Sequence, residues 1–204
     1  MSKNANNNLC QIPKHRVVFF ATGNINKFNE VRSILSQQGI AVGMLKLKGD
    51  EIQSENLKEI AQKSALNAYR RCRLPIFVED AGLFIEALNG FPGPYAAYVY
   101  HTIRNGGILK LMEVIKDRCA KFQSIIAYCD NQNSCEPICF DGESKGAITL
   151  AERIEHGKSG FGFDPIFQPD GSAKTFAEMT IEEKNGYSHR AAAIRKFAEW
   201  YKSH

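Results

Sequence analysis

The sequence predicts a mixed α/β protein. Short apolar runs of strand length alternate with segments whose apolar residues recur at helical spacing. Capping residues and glycines bracket the helical segments, and the strand order leaves room for antiparallel neighbours. Residues 16–21 (R-V-V-F-F-A) form the first predicted strand. Residues 27–38 form a helix stopped by Gly39, with Phe28, Val31, Ile34 and Leu35 on one face. A second strand covers 40–47. Asn56 and Glu59 make a capping-box pattern before a long helix reaching about Cys72. Its apolar face holds Leu57, Ile60, Ala61, Ala65 and Ala68.

Residues 75–78 read as a short strand ending at Glu79 and Asp80. The stretch 89–95 (N-G-F-P-G-P-Y) reads as a rigid loop, because proline fixes the backbone and glycine frees it. A helix is predicted over 108–116, and strands over 122–129 and 137–140, joined around 130–136. Two more strands are predicted over 147–154 and 165–168. Thr180 and Glu183 form another capping box. Ser188 opens a last helix whose buried stripe is Ala191, Ile194, Phe197, Ala198 and Tyr201.

Composition bounds the function. Of 204 residues, 44% are apolar and 24% charged, which suits a single globular domain over 16–204 after a polar, disordered tail over 1–15. The net charge of +4 is mild for a nucleic-acid binder, which carries a clustered basic excess, but suits a small anionic substrate. The longest unbroken apolar run is six residues, 95–100. A membrane-spanning helix needs about 20. The polar start has no apolar signal core, so a cytoplasmic protein without a membrane partner is expected. The 6 cysteines contain no Cys-x-x-Cys pair and no histidine at zinc spacing, so reduced thiols are expected.

Several segments carry possible chemistry. Thr22, Gly23, Asn24, Ile25, Asn26 and Lys27 lie between a buried strand and a helix, where backbone N–H groups and a helix N-terminus attract phosphate. The alternative is a plain glycine turn with a solvated lysine. No Gly-x-Gly-x-x-Gly occurs, and Gly157-Lys158-Ser159 lacks the first glycine of a Walker A loop. Glu79 and Asp80 stand at a strand end, where α/β proteins collect ligands and carboxylates suit a hard cation such as Mg²⁺. Glu51 is a third candidate acid in a polar loop. Phe161, Gly162, Phe163 and Asp164 combine aromatic faces, close backbone and an acid, although both phenylalanines also suit a core. His189 and Arg190 occupy a first helical turn, where cations oppose the helix dipole; donation to a purine edge would explain them. A solvated first turn is the plain alternative.

These segments, taken in order, resemble the inosine triphosphate pyrophosphatase family, also called Ham1-like or RdgB-like non-canonical purine NTP pyrophosphatases. The matching pieces are T-G-N-I-N-K (22–27), V-E-D-A-G-L (78–83), G-F-P-G-P-Y (90–95), G-F-G-F-D-P-I-F (160–167), F-A-E-M (176–179), E-E-K-N (182–185) and S-H-R-A (188–191). The resemblance implies a two-lobed mixed-sheet fold with the active-site cleft between lobes, a homodimer, and Mg²⁺-dependent hydrolysis of an NTP to NMP and pyrophosphate. It assigns the 22–27 loop to the triphosphate and Glu51 and Asp80 to metal, with Asp80 also the proton acceptor. Lys63 matches a phosphate-binding lysine, and Ala81 a substrate-contact position. Phe161 to Asp164 match the base-binding segment, and Lys184, His189 and Arg190 the base-recognition set. Glu79 is a possible further ligand or a tuner of Asp80. Some relatives carry a lysine where this chain has Ala97. Two other readings stand beside this one: a Maf-like enzyme acting on other nucleotides, and a nucleotide-binding module without turnover.

Overall fold

The computed structural model describes residues 17–47, 52–133, 135–155 and 161–204. The expected tail and Glu51 lie outside the described residues. A first strand, β1 (Val17–Ala21), leads through a short turn into α1 (Ile25–Gln37), which returns to β2 (Ala41–Leu45). α2 (Leu57–Cys72) then packs back against the sheet and feeds β3 (Ile76–Ile85). β1 pairs parallel with both β2 and β3. Alternation in β1 sends Val18 and Phe20 to one face and Phe19 and Ala21 to the other. Helix α1 and the last helix cover the first face, and α2 covers the second.

The other half of the sheet is antiparallel. β4 (Pro92–Gly93) pairs with β3, and α3 (Ala96–Leu111) follows it. β5 (Cys119–Cys129) pairs with β3, β6 (Ile138–Ile148) with β5, and β7 (Phe167–Pro169) with β6. The seven-stranded order is β2-β1-β3-β5-β6-β7, with β4 beside β3. Two helices close the chain, α4 (Ile181–Asn185) and α5 (His189–Ser203). Phe20, Phe77, Phe197 and Tyr128 form the core under α1 and α5. Leu83, Ile85, Phe122, Phe163 and Phe167 form a separate core with α3. Among the described residues, no helix is long and apolar enough to cross a membrane.

The strand expected to end at Glu79 and Asp80 runs on to Ile85. Its pairing with β5 is continuous from Ile76 opposite Cys129 to Ile85 opposite Ala120. The two acids therefore sit in the middle of a strand rather than at its end. Gly82 permits the crossing of β4, since a Cβ there would lie 2.6 Å from the Gly93 carbonyl oxygen. The helix expected over 108–116 is instead α3, which starts at Ala96 and is interrupted at Arg104 (φ 58, ψ −170). Gly106 and Gly107, poor helix formers, mask this helix in the sequence. Of the strand expected over 147–154, only 147–148 belong to β6. Beyond it, Thr149 and Arg153 donate their backbone N–H to Ile166 and Pro165. The segment 165–168 is a 3-10 turn (Asp164–Ile166) running into β7.

Candidate active site

Between the α2-covered face of the sheet and the core with α3, the described residues line a cleft of about 550 Å³. One wall is the turn after β1, with Thr22, Gly23, Asn24 and Lys27. The turn is held locally. Thr22 Oγ1 accepts from the Asn24 N–H at 3.1 Å, and Asn24 Oδ1 accepts from the N–H groups of Asn26 and Lys27. Those two amides are thus already capped, so the helix N-terminus is less open to an anion than the sequence implied. Ile25 is exposed, and neither it nor Asn26 lines the cleft.

β3 forms the floor with Val78, Glu79, Asp80 and Ala81. The strand period turns neighbouring side chains to opposite faces, which separates the two acids. Glu79 is fully buried in its side chain and contacts Lys27 at 2.8 Å and Arg190 at 3.1 Å. Its Oε1 also accepts from Ser124 Oγ at 2.7 Å. Burial would raise the Glu79 carboxyl, but Arg190 and Lys27 outweigh it and hold it far below the usual carboxylate range. Glu79 therefore anchors cations in place. Asp80 is only partly buried and lines the cleft.

The third wall is aromatic and cationic. Phe161, Gly162, Phe163 and Asp164 line it together with Tyr100 and Phe122. Phe163 is buried and meets Tyr100 edge to face at 5.4 Å, so it has both a core and a cleft role. His189 and Arg190 arrive from α5, whose N-terminus Ser188 caps by accepting from the Ala191 N–H. Gly142 of β6 lets that helix end approach, since a Cβ there would fall 2.0 Å from the His189 carbonyl oxygen. His189 stacks on Phe122 at 4.7 Å and 11°. Its Nδ1 is buried with no hydrogen-bond partner among the described residues. Burial, then the Arg190 charge, pushes its pKa well below 6.5. Burial thus favours the neutral ring, one of the two states the sequence left open.

Behind this wall runs a chain of buried charges. Arg190 Nη1 donates to Glu30 Oε2, and Arg190 Nε to Glu79 Oε1. Lys184 Nζ bonds Glu30 Oε1 at 2.7 Å and Asp164 Oδ2 at 2.6 Å. Lys184 itself does not line the cleft. Sequence reasoning missed Glu30, which reads as one more polar residue on α1. Its burial on the helix's apolar face became visible only with its two partners from 154 and 160 residues away. Lys63, by contrast, lies on α2 outside the cleft lining, half exposed and paired with Glu59 at 2.8 Å. Ser64, Asn67, Ala68 and Arg71 are the α2 residues that reach the cleft.

Burial would raise the Glu30 carboxyl, but Arg190 and Lys184 hold it at about 2, against 4.5 ordinarily. As pH falls, the unfolded chain takes up this proton first. The stabilisation is therefore present above pH 4.5 and is lost toward pH 2, about 3 kcal/mol in all. Asp164, whose carboxyl burial pushes up, offsets part of this loss. Urea midpoints should drop through that window, and the drop should shrink in Glu30→Gln. Equal acid sensitivity in both proteins would remove Glu30 from this role.

A group of Glu86, Asp117 and Cys119 also clusters, exposed and away from the cleft. The described cysteines are free thiols.

Fold and cleft together define an α/β protein with a ligand cleft on a mixed sheet, acid-floored and walled on one side by aromatic rings. The chain belongs to the Ham1 family, whose sequence pattern matches residues 18–200. It is 50% identical to a dITP/XTP pyrophosphatase of Methanopyrus kandleri, covering 91% of this chain and 96% of that one. It is 48% identical to a dITP/XTP pyrophosphatase of Thermococcus kodakarensis, over 90% and 96%. Among solved structures it resembles a HAM1 protein from Coxiella burnetii, with TM-score 0.79, 28% identity, and coverage of 92% and 99%.

Proposed function

We propose that this chain hydrolyses non-canonical purine nucleoside triphosphates, namely XTP, dITP and ITP, to the monophosphate and pyrophosphate. The supporting observation is a single cleft that joins Asp80 and the 22–24 turn to a buried, neutral His189 with an unpartnered Nδ1. The high identity to dITP/XTP pyrophosphatases over most of the chain supports the same reading.

Asp80 orients a water and takes its proton as the oxygen attacks the α-phosphorus. The bond from that phosphorus to the bridging oxygen breaks, and pyrophosphate leaves with the bond's electrons. Phosphoryl transfer depends chiefly on positioning and electrostatics. Lys27, steadied by Glu79, places positive charge beside the phosphates. Asp80, with Glu51, would hold a divalent cation; oxygen-only carboxylate donors fit a hard ion, and we assign Mg²⁺. When bound, that ion supplies charge neutralisation at the phosphate oxygens.

On the base side, the neutral His189 ring can donate from one nitrogen and accept at the other. Arg190 only donates. Two of its N–H groups are committed to Glu30 and Glu79, which fixes its direction. A 6-oxo purine presents an acceptor where adenine presents a donor, so an adenine would leave buried donors unmatched. The assembly we propose is a cytoplasmic homodimer acting on free nucleotides rather than nucleic acid. Exposed Tyr95 and Tyr98 beside β4 offer apolar surface for it, and sedimentation tests it.

The assay is incubation with Mg²⁺ and XTP, dITP, ITP, ATP, GTP, dTTP or UTP. The expected result is monophosphate plus pyrophosphate from the first three. Turnover of dTTP or UTP alone would favour the Maf-like reading. Binding without turnover would favour a nucleotide-binding module.

A further inference from the structure

The α2 face of the cleft is cationic at a residue that the motifs do not mark. Ser64, Asn67, Ala68 and Arg71 line the cleft from one side of the helix, at spacings of three, four and seven. Lys63 is turned away and already neutralised by Glu59. Of the other basic chains in the lining, Lys27 is paired with Glu79 and Arg190 with Glu30 and Glu79. Arg71 has no hydrogen bond or ion pair among the described residues. It stands near the C-terminus of α2, where a cation suits the helix dipole. Helical side chains lean toward the helix N-terminus, which directs Arg71 back along the Asn67–Ser64 row.

Placement decides which part of a substrate it meets. α2 packs on the sheet face that holds Phe19, Ala21, Leu45 and Leu47, the strands flanking the 22–24 turn. His189 and Arg190 come from α5, on the opposite face. We propose that Arg71 is a substrate-binding residue that grips the terminal phosphates, the leaving pyrophosphate, with Ser64 and Asn67 as neutral hydrogen-bonding neighbours. A guanidinium suits this because its planar fork donates bidentately to phosphate oxygens. The inference rests on the hydrolytic reading above for the identity of the substrate, but not for the anion bound.

Two measurements test it on the full chain. First, kcat/KM for XTP is compared in wild type, Arg71→Ala, Arg71→Lys and the neighbouring Arg70→Ala. Arg71→Ala should lose roughly ten- to a hundredfold, the size of a charged hydrogen bond, mainly through KM. Arg71→Lys should recover part of the loss, and Arg70→Ala should match wild type. Second, calorimetry follows binding of pyrophosphate and of xanthosine monophosphate with Mg²⁺ present. Arg71→Ala should weaken pyrophosphate by the same factor and leave the monophosphate unchanged. The proposal is overturned if pyrophosphate binding is unaffected, if the monophosphate is weakened instead, or if Lys63→Ala carries the loss. A wild-type protein that fails to hydrolyse XTP would defeat the hydrolytic reading alone, since the pyrophosphate titration still decides Arg71.

Discussion

Asp80→Asn is expected to lower kcat for XTP by about 10²–10⁴-fold, the usual worth of a positioned general base. The amide keeps the shape of the side chain but cannot take a proton, and it is a poorer ligand for a hard cation. The near-isosteric amide should leave the strand pairing in place. Asp80 is held by backbone pairing opposite Ile125 in the middle of a continuous ladder, and its side chain is only partly buried. Circular dichroism should therefore show the variant folded. Glu79→Gln gives the contrast: it leaves Lys27 and the buried Arg190 short of a charge and should unfold at lower temperature. Near-normal turnover by a folded Asp80→Asn protein would remove Asp80 from the chemistry.

Arg190→Ala is expected to cost stability before it alters selectivity, by about 3–5 kcal/mol. Arg190 is 3% exposed, and its guanidinium bridges two buried carboxylates, Glu30 and Glu79. Removing it leaves Glu79 with Lys27 and Ser124, and Glu30 with Lys184. Burying a carboxylate with too few partners is far more costly than forgoing an exposed ion pair. Arg190→Lys should recover little, because a single ammonium cannot reproduce two separated donors. Urea unfolding reads the effect directly, and a loss below about 1 kcal/mol, the scale of an exposed pair, would show that the network is not coupled as drawn. Selectivity between XTP and ATP is better tested at His189, which holds no ion pair: His189→Ala should narrow the ratio while the fold persists.

The legible part of the fold lay in short-range signals. The α2 helix runs from Leu57 to Cys72 with Asn56 as its N-cap, as the cap residue and apolar spacing imply, although the expected capping box stays half made because Glu59 turns to Ser54 and Lys63 and the Asn56 N–H donates to Ser54. The turn 22–24 and the start of α5 at Ser188 are also where local hydrogen bonding puts them. The extent of β3 was not legible. A carboxylate pair ordinarily marks a strand end because an unpaired charge avoids a sheet interior. Here Glu79 is neutralised by Lys27 and Arg190, contributed from 52 and 111 residues away. The helix before Leu111 was hidden by Gly106 and Gly107, whose weak propensity is overridden once Val99 and Ile108 pack against Leu83 and Phe122.

By itself, the sequence determined the ordered motifs, the helix caps and the alternation that assigns each strand's faces, because these depend on neighbours a few residues apart. It also named Asp80, His189 and Arg190 as residues worth attention. Only the tertiary structure decided what surrounds them. It buried His189 so that the neutral ring is favoured, turned Arg190 toward Glu30 and Glu79, and brought the unremarked Glu30 under the cleft. It also chose between neighbours on α2, where one residue is about 100° of rotation. That rotation leaves Lys63 with Glu59 at the surface and carries Ser64, Asn67 and Arg71 to the cleft. Helical phase against a sheet is set by the packing of Ala61, Ala65 and Ala68 on Val78 and Ala127, a contact between segments distant in the chain.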